Sequence, residues 1–468
     1  MSIPSNADLC FQTVTELAPQ LKSGKLSPVT LAEAYLERLE TIGPRFNALA
    51  ASLRPRALDE AHAAAREIKA GRYKGPLHGV PYGAKDLLAA KGAPTTWGAK
   101  PYERQVFDFD ATAIQKLRAA GAVLLGKLAM VELAGGLGYN EAKSSLQGPG
   151  RTPWNPDHWS GGSSSGTGAA VAAGLVGFGV GSETWGSILC PATFCGVSGL
   201  RPTYGRISRH GAMALSWTMD KLGPMARSIA DCRLALSTLA GADPLDPSSR
   251  NEPLMWRDAK QGLKGLRAGV LPFDWSKAGE KEVEANFRAA VKELEAAGLK
   301  VIEVKPPDIP VEAIAGTIIQ CEAAASFEEL FRDGRVKQLV YAKAPRAEQL
   351  AREIGAPDLL KAYRLRSEFQ KQVNGLFDAV DVVLFPGFTT TAPRVDSNLD
   401  DLATGPDWIG GAGNLCGLPA ACVPTGLGRN RLPTSMQVVA GPFEEPLAVL
   451  VAEVFQRRTD WHRQRPPL

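Results

Sequence analysis

Nine consecutive residues, Ser160 to Gly168, are glycine, serine or threonine, and Ala169, Ala170, Ala172 and Ala173 follow at once. By composition alone, Ser160–Gly168 would be a flexible linker. The residues downstream argue against that. Val171, Leu175 and Val176 are apolar, and a solvated segment has no use for them. Thr167–Ala173 is predicted as a helix of small residues, and Leu175–Gly181 as a buried strand. Small side chains leave gaps unless a neighbour comes very close, and protein interiors tolerate few gaps. The chain must therefore wrap a tightly packed core around this segment.

The rest of the pattern is α/β. Ser27-Pro28 supplies an N-cap followed by proline at the first helical position. Leu31, Tyr35, Leu39 and Ile42 then recur at helical spacing. Leu58, Ala61, Ala65 and Ile68 predict a second helix stopped at Gly71, with His62 on its surface. Val80–Ala84 reads as a short buried strand with Lys85 at its end. A helix over 111–120 leads into the strand Ala122–Lys127. Leu266–Leu271, Lys281–Ala297 and Lys300–Val304 form a strand–helix–strand unit. Helices fill 311–377, and further strands are predicted at Asp381–Phe385, Ala420–Pro424 and Met436–Ala440. The expected architecture is a central mixed β-sheet surrounded by α-helices, in one domain over 1–468.

Composition excludes several classes. The net charge is +4 over 468 residues, with no Lys/Arg cluster, so no nucleic-acid partner is expected. Seven cysteines are scattered with no Cys-x-x-Cys pair, which leaves zinc and dithiol chemistry without support. Cys190 and Cys195 read as small core residues. No basic segment runs into an apolar one near Met1, and no apolar run reaches membrane-spanning length. The expectation is a reduced, cytoplasmic protein away from membranes.

The glycine-serine run also matches chemical motifs. Gly161 to Thr167 has the glycine spacing of a phosphate loop, but no lysine follows Gly166 and no strand precedes it. Gly177–Gly181 lacks the third glycine of a dinucleotide loop. Gly162-Ser163-Ser164-Ser165-Gly166 fits a Gly-x-Ser-x-Gly nucleophile elbow centred on Ser164. An elbow needs a strand before it, yet Thr152–Gly161 carries two prolines and no strand pattern. Of five histidines only His210 and His462 lie downstream, in loop-like and terminal sequence. No serine has a lysine three residues on, so a Ser-x-x-Lys site is absent. A reactive serine would then need a lysine base. Free lysine titrates near ~10.4, and burial can lower that by up to ~3–5 units. Lys85, closing a buried strand, is the candidate. From the residues alone, an ion pair with neighbouring Asp86 or a side chain snorkelling to water is the plainer reading.

Several ordered blocks resemble the amidase signature family of serine amidohydrolases. They are GVPYGAKDLL, GGSSSGTGAAVAAG, GSETWGSILCPATFCGVSGLRPTYGRIS, LGPMARSIADC, LFPGFTTTAP, GNLCGLPAACVPTG and LPTSMQVVAGPFEE. The resemblance covers about residues 27–466. It implies N-terminal helices over about 1–70, a signature core over about 76–243 and C-terminal core blocks over about 380–468. A variable helical region lies between, over about 244–379.

The resemblance implies a Ser-cisSer-Lys triad. Lys85 matches the base, Ser163 the bridging serine after a cis peptide, and Ser187 the nucleophile, 24 positions on. The backbone N–H groups of Thr184, Trp185, Gly186 and Ser187 match the oxyanion hole. Met130, Leu133, Gly135, Gly136, Trp185, Cys190 and Trp217 match pocket positions. The implied reaction is hydrolysis of a non-peptide carbon–nitrogen bond, in an amide or carbamate, through a seryl acyl-enzyme. No metal or cofactor is implied.

Around the nucleophile this chain departs from the family pattern. Trp185 replaces a glycine and Leu189 an arginine, which is similar to peptide-amidase-type members. Aryl amides, fatty or peptide amides, lactam oligomers and carbamates all fit. The expected partner is a small-molecule amide or carbamate, with a homodimer left open. Two alternatives stand beside this reading. One is the glutamine-hydrolysing A chain of a tRNA-dependent amidotransferase. The other is a non-catalytic amidase-like scaffold, disfavoured because all three triad positions are present.

Overall fold

The computed structural model describes residues 6–275, 279–401 and 408–468. All eight predicted strands join one eleven-stranded sheet. The strands are β1 (Leu49–Ser52), β2 (Pro81–Lys85), β3 (Val123–Leu128), β4 (Phe178–Glu183), β5 (Ser198–Arg201), β6 (Lys221–Ala226), β7 (Arg267–Val270), β8 (Lys300–Glu303), β9 (Val382–Pro386), β10 (Ala420–Leu427) and β11 (Pro433–Ala440). Their order is β1-β3-β2-β4-β6-β5-β10-β11-β9-β7-β8. β3, β2 and β4 run parallel, as do β9, β7 and β8, and the central pairings are antiparallel. The sheet is therefore mixed, with helices packed against it.

Three strands escaped the sequence reading, each for a physical reason. β5 and β6 carry Arg201 and Lys221 into the protein with essentially no exposure. A charge closing β5 and one opening β6, with Gly199, Gly223 and Pro224 between, interrupts the apolar run that marks a buried strand. β1 is only four residues long and partly exposed. β4 begins three residues later than expected. Leu175 and Val176 instead follow Gly174 (φ +63°) in the turn that closes the preceding helix, where Leu175 N–H donates to Ala170 O at 2.9 Å.

That helix, Ser165–Ala172, is buried along its whole length. It packs against the helix Leu189–Cys195 and against β2, β3 and β4. Its glycines mark where backbone meets backbone. A Cβ on Gly168 would lie 2.8 Å from Pro191 O, and one on Gly166 would run into Ala48 O and the Ala129 backbone. Gly166→Ala is therefore expected to lose about 2–3 kcal/mol of stability through overpacking. Chemical denaturation would measure it, and an unchanged midpoint would contradict this packing.

Candidate active site

β2 is buried at every position, and strand geometry turns successive side chains to opposite faces. Asp86 and Lys85 therefore part company. Asp86 accepts from Lys127 Nζ at 3.0 Å and from Thr96, so the ion pair with Lys85 does not form. Lys85, with no exposure, instead puts Nζ 2.7 Å from Ser163 Oγ and 2.9 Å from Ser182 Oγ. Burial lowers its pKa from 10.5 to about 7, although Asp220 and Glu183 pull the other way. An amine that titrates there is substantially neutral at physiological pH and competent as a base.

Ser163 follows a cis Gly162–Ser163 peptide bond. Its carbonyl accepts from Val131 N–H at 3.0 Å. Gly161 turns the chain into it at φ +83°, and a Cβ there would stand 2.8 Å from the Pro191 backbone. No residue but glycine suits that combination of dihedral and contact.

Ser187 lies on the turn between β4 and the helix Leu189–Cys195 and is 7 % exposed. Its carbonyl accepts from Ser164 N–H at 3.3 Å, which joins the glycine-serine run to this turn. Gly186, at φ +78°, has open space where a side chain would be. Thr184 Oγ1 donates to Asp220 Oδ1 at 2.6 Å, and Asp220 Oδ2 accepts from the N–H groups of Leu215 and Ser216.

Glu183, Asp220 and Ser182 are site residues that the motif reading missed. Glu183 Oε2 accepts from the N–H groups of Ile188 (2.8 Å) and Leu189 (3.0 Å). Its Oε1 accepts from Arg201 Nη1 and Asn414 Nδ2, both at 2.9 Å. Burial opposes the charge on Glu183, but Arg201, Lys221 and Asn414 hold its pKa below the usual range. The carboxylate thus ties both ends of the turn that carries Ser187. The sequence signal was present: a lone acid two residues past the predicted strand Leu175–Gly181, just before the turn that carries Ser187. Glu183→Gln leaves Arg201 buried without its counter-charge, so a loss of about 3 kcal/mol is expected. A fall in thermal midpoint with Arg201 intact, relieved in Glu183→Gln/Arg201→Met, would report it.

A cavity of about 570 Å³ opens beside the turn. Gly162, Trp185, Gly186, Leu189 and Cys190 line it, with Tyr139, Trp159 and Phe388 adding aromatic wall. Glu312 and Asp400 stand exposed on its lining, and no Lys or Arg lines it among the described residues. Of the expected pocket positions, Trp185 and Cys190 are here. Met130 and Leu133 are packed in the main apolar core. Gly135 and Gly136 line a neighbouring groove that shares Gly316 with this cavity. Trp217 is 58 % exposed, under the Arg209 guanidinium at 5.0 Å, on a smaller cavity of about 180 Å³ that also touches Thr184.

A family model described as Amidase matches residues 30–449. The chain belongs to the amidase signature family. It is 35% identical to the A chain of the glutamyl-tRNA(Gln) amidotransferase of Chromohalobacter salexigens, across 97% of this chain and 98% of that one. The native peptide amidase of Stenotrophomonas maltophilia superposes with a TM-score of 0.86 at 30% identity, over 98% of each chain. The A chain of the Thermotoga maritima glutamyl-tRNA(Gln) amidotransferase superposes at 0.81 and 26% identity, over 100% of this chain and 99% of that one.

These names correct one expectation. A small-molecule amide or carbamate as partner, with no nucleic acid, does not agree with sequence relatives named as one component of a tRNA amidotransferase. Net charge does not decide the matter, because one component of a tRNA amidotransferase need not carry a basic patch itself. No helix among the described residues is long and apolar enough to cross a membrane.

Proposed function

We propose that this amidase cleaves a carboxamide C–N bond through an acyl-enzyme on Ser187, with Ser163 and Lys85 as the proton relay. The observation that carries the reading is the buried Lys85 amine, its pKa lowered to about 7 and its Nζ 2.7 Å from Ser163 Oγ. Neutral Lys85 takes the Ser163 proton while Ser163 takes that of Ser187, since a hydroxyl both donates and accepts. Ser187 Oγ attacks the amide carbon. Backbone N–H groups of residues 184–187 stabilise the oxyanion, each worth about 10²–10³-fold in rate. The proton returns to the departing nitrogen, the C–N bond breaks, and water releases the acid by the same route.

The relatives' names support a narrower reading: the amide is that of glutamine, and the protein is the glutamine-hydrolysing A chain of a tRNA-dependent amidotransferase. One observation favours a second reading, a free-standing amidase for bulkier amides. Trp185 and Leu189 make the cavity apolar, and no described cation lines it to meet the α-carboxylate of glutamine. Ammonia release from glutamine, compared with release from N-acylated amino-acid amides, separates the two. Glutamine turnover at least tenfold the faster in kcat/KM supports the amidotransferase reading, and the reverse supports the second. No ammonia from either would refute both.

A further inference from the structure

Three arginines are almost wholly buried among the described residues, and two of them have a carboxylate in contact. Arg201 meets Glu183 at 2.9 Å, and Arg206 meets Glu445 at 2.8 Å. Arg227, 6 % exposed, meets none among the described residues. Its one hydrogen bond runs from Nη2 to Ala172 O and is long, at 3.3 Å, so most of its N–H donors are free. Asp231 attracts it but spends its carboxylate on the N–H groups of Val14 and Thr15, both at 3.0 Å. Burial brings the Arg227 pKa down to about 10, which leaves the guanidinium charged at neutral pH. A buried charge with no counter-charge is costly, and buried charges are as a rule paired.

Arg227 lines a cleft of about 510 Å³ between the helix Val14–Lys22 and residues 462–465. Arg463 and Arg465 line the same cleft, and Arg227 and Arg465 both lie over the Phe11 ring, at 4.3 and 4.7 Å. Glu16 is the only acid on the described lining, and both its oxygens are engaged, Oε1 by Arg463 at 3.2 Å and Oε2 by Thr13 N–H at 2.8 Å. Arg465 pairs with Asp8 at 2.8 Å. The pairs of Arg463 and Arg465 are exposed, and such pairs exchange partners at little cost. His462, its pKa pushed down to about 4 by burial, adds no charge at pH 7. The cleft shares no lining residue with the 570 Å³ cavity. It lies at the other end of β4 and β6: Arg227 follows Ala226, which pairs with Phe178, whereas Glu183, beside the Ser187 turn, pairs with Lys221.

We propose that this cleft is a phosphate site, with Arg227 as its buried anchor and Arg463 and Arg465 closing on the anion from the rim. A phosphate dianion supplies the missing counter-charge, and its oxygens accept the parallel N–H pairs that a guanidinium presents. The cleft has room for a phosphate monoester as well as for the free anion.

Calorimetry on the full chain at neutral pH, with ionic strength held constant by chloride, tests this with inorganic phosphate and sn-glycerol 3-phosphate as probes. Saturable binding of at least one is expected, and the tighter of the two shows whether the free anion or a monoester is the ligand. Arg227→Gln is expected to weaken it at least about tenfold, the scale of lost charge-assisted hydrogen bonds. Arg463→Gln/Arg465→Gln changes only exposed side chains, so it reads binding even where Arg227→Gln fails to fold. It is expected to weaken binding about three- to tenfold. No saturable binding of either probe below about 10 mM overturns the proposal. So does affinity unchanged in either variant, or a heat that chloride reproduces at equal ionic strength, which would be general screening.

Discussion

Ser187→Ala is expected to lower kcat by about 10⁵–10⁶-fold, the scale seen when a hydrolase nucleophile is removed and only binding and oxyanion stabilisation remain. The loss should fall on kcat with little change in KM, because the hydroxyl matters only once it attacks. A fluorophosphonate should label Ser187 in the unaltered enzyme and nothing in the variant, as read by peptide mass. Labelling at Ser164 would revive the nucleophile elbow that Gly162–Gly166 matches. Ser164 is otherwise engaged, its Oγ donating to Ser182 O at 3.2 Å.

Lys85→Ala is expected to cost about 10³–10⁴-fold in kcat/KM, the range of a general base. Because base and nucleophile act as a unit, Lys85→Ala/Ser187→Ala should be no slower than Ser187→Ala alone. The pH dependence has a definite sign. Burial favours the uncharged amine and brings the Lys85 pKa down to about 7. The competent form therefore accumulates as pH rises through that value. Between pH 5 and 6, kcat/KM should climb about tenfold per unit, and it should level off above pH 8. Rates that are flat from pH 5 to 9 would remove Lys85 from the role of base. In Lys85→Ala the ascending limb should vanish along with most of the activity.

Much of the fold was legible along the chain. The helix caps, the eight strands and the strand–helix–strand unit at 266–304 follow local patterns, and neighbours in sequence suffice to specify them. The departures came where tertiary contacts override pattern. The charge in β5 is tolerated because Glu183 meets Arg201 at 2.9 Å, a pairing between residues 18 positions apart. Asp86 adjoins Lys85 in sequence but bonds Lys127, across the β2–β3 pairing. Pocket positions were the least legible. Met130 and Leu133 are ordinary core, whereas Gln437, Trp159 and Phe388 reach the cavity from distant segments.

The sequence by itself determined that Ser160–Gly168 is packed rather than solvated, since apolar residues follow it without a break. Through its ordered blocks it also pointed to Lys85, Ser163 and Ser187 as a set. Only the tertiary structure decided what each of these side chains meets. Strand alternation sends Asp86 away from Lys85, full burial depresses the lysine pKa, and a carboxylate from β4 ties down the turn of Ser187. Those outcomes depend on distance and desolvation, which are properties of the packed molecule and have no counterpart in the order of residues along the chain.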